Sequence, residues 1–156
     1  MSDSPPSWMR LLTPVPAGVV PERKPVVSAQ QIASGTAGPI AGWESVSLHL
    51  SDPKLGSRHI LISLDADGRL LSAGDHVMMI RELSADGTVR IADHESLGGR
   101  YADDGTFQGT RWLSRIVCES GEDHARQESS DKSAPTDEDI AALNRLVADL
   151  VARSMR

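Results

Sequence analysis

Hydrophobic and polar positions alternate through the middle of the chain, over residues 42–118, in runs that are separated by turn residues. One turn signal recurs three times, as Asp65-Ala-Asp-Gly-Arg69, Ser84-Ala-Asp-Gly-Thr88 and Ala102-Asp-Asp-Gly-Thr106. In each segment Asp favours a type I turn, and Gly accepts the positive φ that closes a three-residue hairpin loop. The pattern predicts a mainly β fold, an antiparallel meander of about five strands in a curved sheet or small, partly open barrel. The strands are expected at roughly residues 43–50, 58–65, 69–83, 88–101 and 106–117.

The three loops also predict how the strands pair. The expected cross-strand partners next to the loops are Leu64 with Leu70, Leu83 with Val89, and Tyr101 with Phe107. Each pair joins two hydrophobic side chains, which stabilises a sheet when the two residues lie directly opposite one another. The hydrophobic pattern and the turn chemistry therefore agree on one register.

The alternation predicts a sheet with two unlike faces, one of them hydrophobic. That face is expected to carry Val46, Leu48, Leu50, Ile60, Ile62, Leu64, Val77, Met79 and Leu83. Leu70 belongs to the same face, although it is separated from Val77 by an odd number of residues. A β-bulge at residues 72–74 would make the necessary change of parity.

Four of the five histidines fall on the opposite face in this register. A hairpin loop over residues 51–57 sets His49 opposite His59, and the next two strands add His76 and His94. Clustered imidazoles can bind Zn, Fe or Cu, or they can line a half-polar surface or a ligand cavity. The chain has no His-x-His pair on these strands, no His-Glu-x-x-His and no repeated Cys-x-x-Cys. We therefore expect no cofactor, with a metal at these histidines as the alternative.

A second group of candidate ligand-binding residues lies in the segment 98–112, where glycines at Gly98–Gly99 and Gly109 are expected to face each other. The candidates are Arg100, Gln108, Arg111 and Trp112. Together they offer guanidinium, amide and indole groups that suit a ligand with a carboxylate or phosphate. The alternative is an exposed cross-strand pair of Arg100 with Gln108, with Trp112 as a core residue.

The two ends of the chain differ from its middle. Seven of the nine prolines lie within the first 39 residues, so residues 1–41 are expected to form an extended arm. Hydrophobic residues such as Trp8 and Leu11 could anchor this arm on its own domain or on a partner subunit, and disorder is the third alternative. Residues 119–135 are almost wholly polar, and we interpret them as a solvated, acidic linker.

Residues 136–156 have the pattern of an amphipathic helix. Thr136 and Asp139 form a capping pair at its start. Hydrophobic residues recur at three- and four-residue spacing, at Ile140, Leu143, Leu146, Val147, Leu150 and Val151. Such a stripe has to be buried, either on the chain's own sheet or on a second chain.

Composition and charge narrow the class of protein. The chain has 156 residues, one cysteine and a net charge of −6. No run of hydrophobic residues is long enough for a membrane helix, no secretory signal is visible, and a disulfide framework is excluded. No cluster of Lys and Arg suits nucleic acid or an anionic membrane. The single cysteine and the missing signal predict a cytoplasmic protein. Arg makes up 13 of the 16 basic residues, and with the abundant Ala, Asp and Gly this indicates a bacterium with a GC-rich genome.

Two classes of function remain. The first is a non-catalytic accessory or binding subunit that docks onto a larger partner, such as a bacterial metabolic enzyme, or onto a second copy, through residues 1–41 and 136–156. The second is a small-molecule-binding β-domain, including a lyase, an isomerase or a metal enzyme, that uses the histidine-lined face. The sequence favours the first class because it contains no recognisable set of acid, base and nucleophile.

Overall fold

In the part of the chain that the structure describes, seven antiparallel strands form one open sheet, in which each strand pairs with its neighbours in sequence. The computed structural model describes residues 5–36, 38–86, 88–119 and 126–155. The strands are β1 (Glu22–Pro25), β2 (Glu44–Asp52), β3 (Gly56–Leu64), β4 (Leu70–Leu83), β5 (Val89–Tyr101), β6 (Phe107–Glu119) and β7 (Arg126–Ser133). A 3-10 turn (Ser7–Met9), helix α1 (Ala29–Ala33) and helix α2 (Asp137–Ser154) complete the fold. The predicted mainly β meander with a C-terminal helix is confirmed.

The two strands beyond the predicted five lie at the edges of the sheet. Strand β1 belongs to the proline-rich arm, and β7 lies inside the segment 119–135. The interpretation of that segment as a solvated linker is therefore wrong over β7. The last four residues of β7, 130–133, are exposed. An edge strand can form without buried side chains, because main-chain hydrogen bonds to its one neighbour hold it in place. Hydrophobic periodicity could not reveal such a strand.

The register agrees with the prediction at two of the three Asp-Gly hairpins. Leu64 pairs with Leu70, and Tyr101 pairs with Phe107 with ring centroids 5.2 Å apart. The corresponding glycines, Gly68 and Gly105, have φ of +80° and +88°. These two loops therefore use glycine for the left-handed backbone that their turns require.

The prediction for the middle hairpin is wrong at its tip. Leu83 pairs with Arg90 instead of Val89, and Leu83 is 45% exposed rather than buried. Arg81 is an extra, unpaired residue that corrects the register, so that Met78 lies beside His94 as expected. Gly87 of this loop lies outside the described residues.

The predicted change of parity in β4 also exists, although not at residues 72–74. Ser63 pairs with Ser72 and Leu64 pairs with Leu70, so the unpaired residue is Leu71. The bulge lies next to the hairpin loop, where one extra residue disturbs fewer ladder hydrogen bonds than it would in the middle of the strand.

Helix α2 covers one side of the sheet, which we call the core face. Its stripe is buried against β2, β3 and β5 in a cluster that contains Val46, Leu48, Ile60, Ile62, Leu97, Leu143, Leu146, Val147 and Leu150. Thr136 and Asp139 form the predicted capping box, with hydrogen bonds of 3.0 and 3.1 Å. Of the two alternatives for the stripe, burial on the chain's own sheet is the one observed.

The N-terminal arm packs on the core face above β3 and β4, where a buried ion pair holds it. Arg58 and Asp75 are 1% and 0% exposed, and they form two hydrogen bonds of 2.8 and 2.6 Å. Arg58 also donates to the carbonyl oxygen of Thr13 at 2.9 Å, and the N–H of Leu12 donates to Asp75 at 2.8 Å. Leu12 has φ of +63°, an uncommon conformation outside glycine, which this hydrogen bond helps to hold.

Candidate functional site

The side of the sheet opposite α2 carries the four predicted histidines, and we call it the histidine face. His49 pairs directly with His59, and His59 pairs directly with His76, so these three form one row across β2, β3 and β4. His94, on β5, pairs with Met78 of β4, so it lies diagonally across from His76, two residues before Met78. The strand register thus brings together four side chains that are up to 45 positions apart in sequence.

The imidazoles in this row are close enough to affect one another. The rings of His49 and His59 are 5.8 Å apart at an interplanar angle of 74°, which is an edge-to-face contact. On the next strand the ring of His76 lies over Gly74, where a Cβ atom would come within 3.0 Å of Nε2. Glycine at this position therefore leaves space for the His76 ring to lie flat along the sheet.

Two of these histidines have pKa values below the ordinary value for histidine. Burial lowers the pKa of His59, and the neighbouring His49 and His76 lower it further. Burial likewise lowers the pKa of His94, with a smaller contribution from His76. At neutral pH each of these two rings therefore offers one N–H donor and one nitrogen acceptor.

A groove of about 500 Å³ runs across the centre of the histidine face. Its lining includes Ser57, His59, His76, Met78, His94, Ser96, Trp112 and Ser114. Trp112 is 39% exposed, and the Lys132 ammonium lies 5.9 Å from the centre of its ring. The volume falls within the range of small-molecule sites.

The histidine face differs in charge from the rest of the chain. In β2 to β6, the positions on this face include no Asp or Glu, although the net charge of the chain is −6. Glu95 also borders the groove, but it pairs with the buried Val77, and its side chain belongs to the core face. The ammonium of Lys132 lies on the same face beside the ring of Trp112, so this surface suits an anion better than a cation.

The second group of predicted site residues is not brought together. Trp112 lines the groove, but Arg100 and Gln108 pair with each other four residues further along the strands, about 13 Å away. Arg111 lies on the core face, where its guanidinium is 3.4 Å from the Asp139 carboxylate. The hypothesis of one anion site made by all four side chains is therefore wrong.

The glycines of this segment serve strand pairing. Gly99 pairs with Gly109, and a Cβ atom on either residue would collide with the backbone of the partner strand. The two backbones approach so closely here that only glycine fits at both positions.

Several residues of the groove were missed by the sequence interpretation. Ser57, Ser96 and Ser114 lie in the same cross-strand rows as the histidines and could have been found by extending the predicted register. Lys132 could not have been found in this way, because it lies in β7, within the segment interpreted as a linker.

Comparisons with known proteins add nothing to the chemistry of the groove. The chain matches no family model, no curated protein and no solved structure. Within the described part of the chain, no three or more His, Cys, Asp or Glu side chains are grouped so that they could hold a metal ion. No helix among the described residues has the length and hydrophobicity needed to cross a membrane.

Proposed function

We propose that the chain is a small-molecule-binding β-domain that takes an anionic ligand, carrying a carboxylate or phosphate group, in the groove of the histidine face. The observation that carries this proposal is the absence of Asp and Glu from that face in β2 to β6 of a chain with a net charge of −6. A groove without carboxylates, beside an ammonium group, attracts anions and repels cations.

The groups in the groove match the needs of such a ligand. Neutral His59 and His94 can each donate one hydrogen bond, and the hydroxyl groups of Ser96 and Ser114 can donate others. Trp112 provides a flat hydrophobic wall for an apolar part of the ligand. An anion would also favour protonation of the nearby imidazoles, so binding should strengthen as the pH falls towards the ordinary pKa of histidine.

The proposal is tested by NMR titration of the histidine ring resonances with benzoate, inorganic phosphate and the uncharged analogue benzamide. We expect benzoate or phosphate to shift the resonances of His59, His76 and His94, and benzamide to act more weakly. Binding of the anion should be stronger at about pH 6 than at about pH 8. If neither anion shifts these resonances, or if benzamide binds as well as benzoate, the proposal is wrong.

The face offers two matched controls. His76 lines the groove whereas its row neighbour His49 does not, so His76→Asn should weaken anion binding and His49→Asn should leave it nearly unchanged. Trp112 and Trp43 are 39% and 40% exposed, but only Trp112 is part of the groove lining. The anion should therefore change tryptophan fluorescence in Trp43→Phe and fail to do so in Trp112→Phe.

Docking onto a larger partner, the function that the sequence favours, has less support from the geometry. The stripe of α2 and the anchors of the arm, the two docking surfaces expected in residues 136–156 and 1–41, are packed on the chain's own sheet. Docking cannot be tested by deleting residues 136–156, because the deletion would expose the core beneath α2. Docking therefore stays a prediction, and a pull-down with the intact chain is the appropriate experiment.

A further inference from the structure

A second cavity lies on the core face, at the end of the sheet formed by the first and third Asp-Gly loops. It has a volume of about 530 Å³ and opens between these loops and helix α2. Its hydrophobic walls are formed by Leu64, Leu70, Val147, Ala148 and Val151. Leu64 and Val147 are almost fully buried, whereas Ala148 is exposed at the opening. Water in such a space contacts hydrophobic surface that a ligand could cover at a gain in free energy.

Few polar groups reach this cavity. The Tyr101 hydroxyl donates a hydrogen bond of 2.8 Å to Asn144 Oδ1. Because its one hydrogen is used in this way, the Tyr101 oxygen is left as an acceptor for a ligand N–H group. The cavity therefore suits a largely apolar molecule with a single polar end that donates hydrogen bonds.

The loops at the rim add a charge preference. The two loops carry four Asp, at positions 65, 67, 103 and 104, against one Arg, Arg69, and of these charged residues Asp103 and Arg69 line the cavity. Arg69 is already 2.8 Å from Asp103 and 3.9 Å from Asp65, so its charge is compensated within the rim. The remaining negative charge would attract a ligand ammonium group and repel a carboxylate.

We propose that this cavity is a second binding site, for a small amphipathic amine whose apolar part lies between α2 and the loops and whose ammonium group lies at the acidic rim. The site is independent of the histidine groove, because it lies on the opposite face of the sheet and shares no lining residue with that groove. The preferred charge of its ligand is also opposite.

The experiment compares three probes that share one alkyl chain: n-octylamine, n-octanol and n-octanoate. Binding to the full chain is measured by isothermal titration calorimetry and by chemical-shift mapping of the backbone amides. We expect octylamine to bind about two- to fivefold more tightly than octanol, and octanoate to bind most weakly. The largest shifts should fall on the loops at 65–69 and 102–106 and on α2. The proposal is overturned if octanoate binds as tightly as octylamine, or if no probe binds.

Variants of α2 test whether the ligand occupies the cavity. Ala148→Phe places a phenyl group at the opening and should abolish octylamine binding. Ala141→Phe is the matched control, because Ala141 is also exposed on α2 but does not line the cavity. If octylamine binds equally well to both variants, it binds elsewhere and the proposal fails.

A third variant keeps the test decisive if Ala148→Phe does not fold. The Asp103 side chain is 93% exposed at the rim, so Asp103→Asn leaves packing intact. It should reduce the preference for octylamine over octanol by about twofold or more, with little change in octanol binding. If Asp103→Asn leaves the preference for octylamine over octanol unchanged, the rim charge does not select the ammonium group and the proposal fails.

Discussion

The two faces of the sheet are built from alternating residues of the same strands, yet they follow different rules. On the core face, Arg58 and Asp75 are buried together, with hydrogen bonds to each other and to the N-terminal arm. On the histidine face, His59 and His76 pair across two strands and are exposed, so their ring nitrogens do not require protein partners. Burial therefore explains the composition of the core face, whereas the exposed imidazoles of His59 and His76 are not part of the buried core. This contrast supports the placement of the anion site on the histidine face.

The largest expected effect comes from breaking the buried ion pair. Arg58→Met would leave the Asp75 carboxylate without its charged partner in the core, and we expect a loss of about 3–5 kcal/mol in the free energy of unfolding. Urea denaturation followed by circular dichroism measures this loss. The control is Asp103→Ala, which removes an exposed ion pair and should cost less than about 1 kcal/mol.

A double variant sharpens the same comparison. Arg58→Met with Asp75→Leu removes both charges, and it should be more stable than Arg58→Met alone because no unpaired charge remains buried. The N–H of Leu12 would still lose its acceptor, so wild-type stability is not expected in full. Equal stability of the single and double variants would contradict the assignment of the cost to the unpaired carboxylate.

The next prediction compares the losses of stability caused by substitutions at two adjacent residues on opposite faces of β3. Ile62 is fully buried and Leu61 is 42% exposed. We expect Ile62→Ala to cost about 2–5 kcal/mol, since it leaves a cavity in the core, and Leu61→Ala to cost less than about 1 kcal/mol. Chemical denaturation of the two variants measures both values. Similar losses would mean that the histidine face is buried in solution, for example by a second copy of the chain.

The smallest effect is a pH dependence that arises from the histidine face. The pKa values of His59 and His94 are lowered in the folded chain, so the unfolded chain binds protons more readily. Stability contributed by the neutral rings is therefore present above the ordinary histidine pKa of about 6.5, and it is lost as the pH falls through the lowered values.

Denaturation at about pH 7.5 and about pH 5 tests this dependence. The double variant His59→Asn, His94→Asn should lose less stability on acidification than the wild type. Ser57→Ala, a control on the same face, removes no titratable group and should retain the wild-type slope. If the double variant has the same slope as the wild type, other groups cause the acid sensitivity.

Much of the sheet could be predicted because its turns carry local signals. The Asp-Gly loops place the boundaries of the five central strands within a few residues, and the alternation of hydrophobic residues sets the register at Leu64 and at Tyr101. The failures occur where the backbone departs from regular pairing. The change of parity between Leu70 and Val77 reveals one bulge but not its position at Leu71, because a bulge can lie at any of several neighbouring residues with similar free energy. The bulge at Arg81 leaves no mark in the pattern.

The candidate site could be predicted only in part, for a related reason. The row of His49, His59 and His76 follows from the register of two hairpins. The separation of Arg111 from Trp112 follows from simple strand alternation, which the hypothesis of a shared site overlooked. Lys132 and the groove itself depend on an edge strand without hydrophobic residues, and on the curvature of the whole sheet.

The amino-acid sequence by itself determined the meander, the capped helix and the common face of the four histidines, because turn chemistry, capping and side-chain periodicity act between residues near one another in the chain. Tertiary structure alone decided that the arm and α2 cover the same face, that Arg58 and Asp75 are buried together, and that the histidine groove and the cavity beside α2 lie on opposite faces. These features depend on which surfaces meet after the strands have paired, and residues as far apart as Leu12 and Asp75 carry no local signal of that meeting.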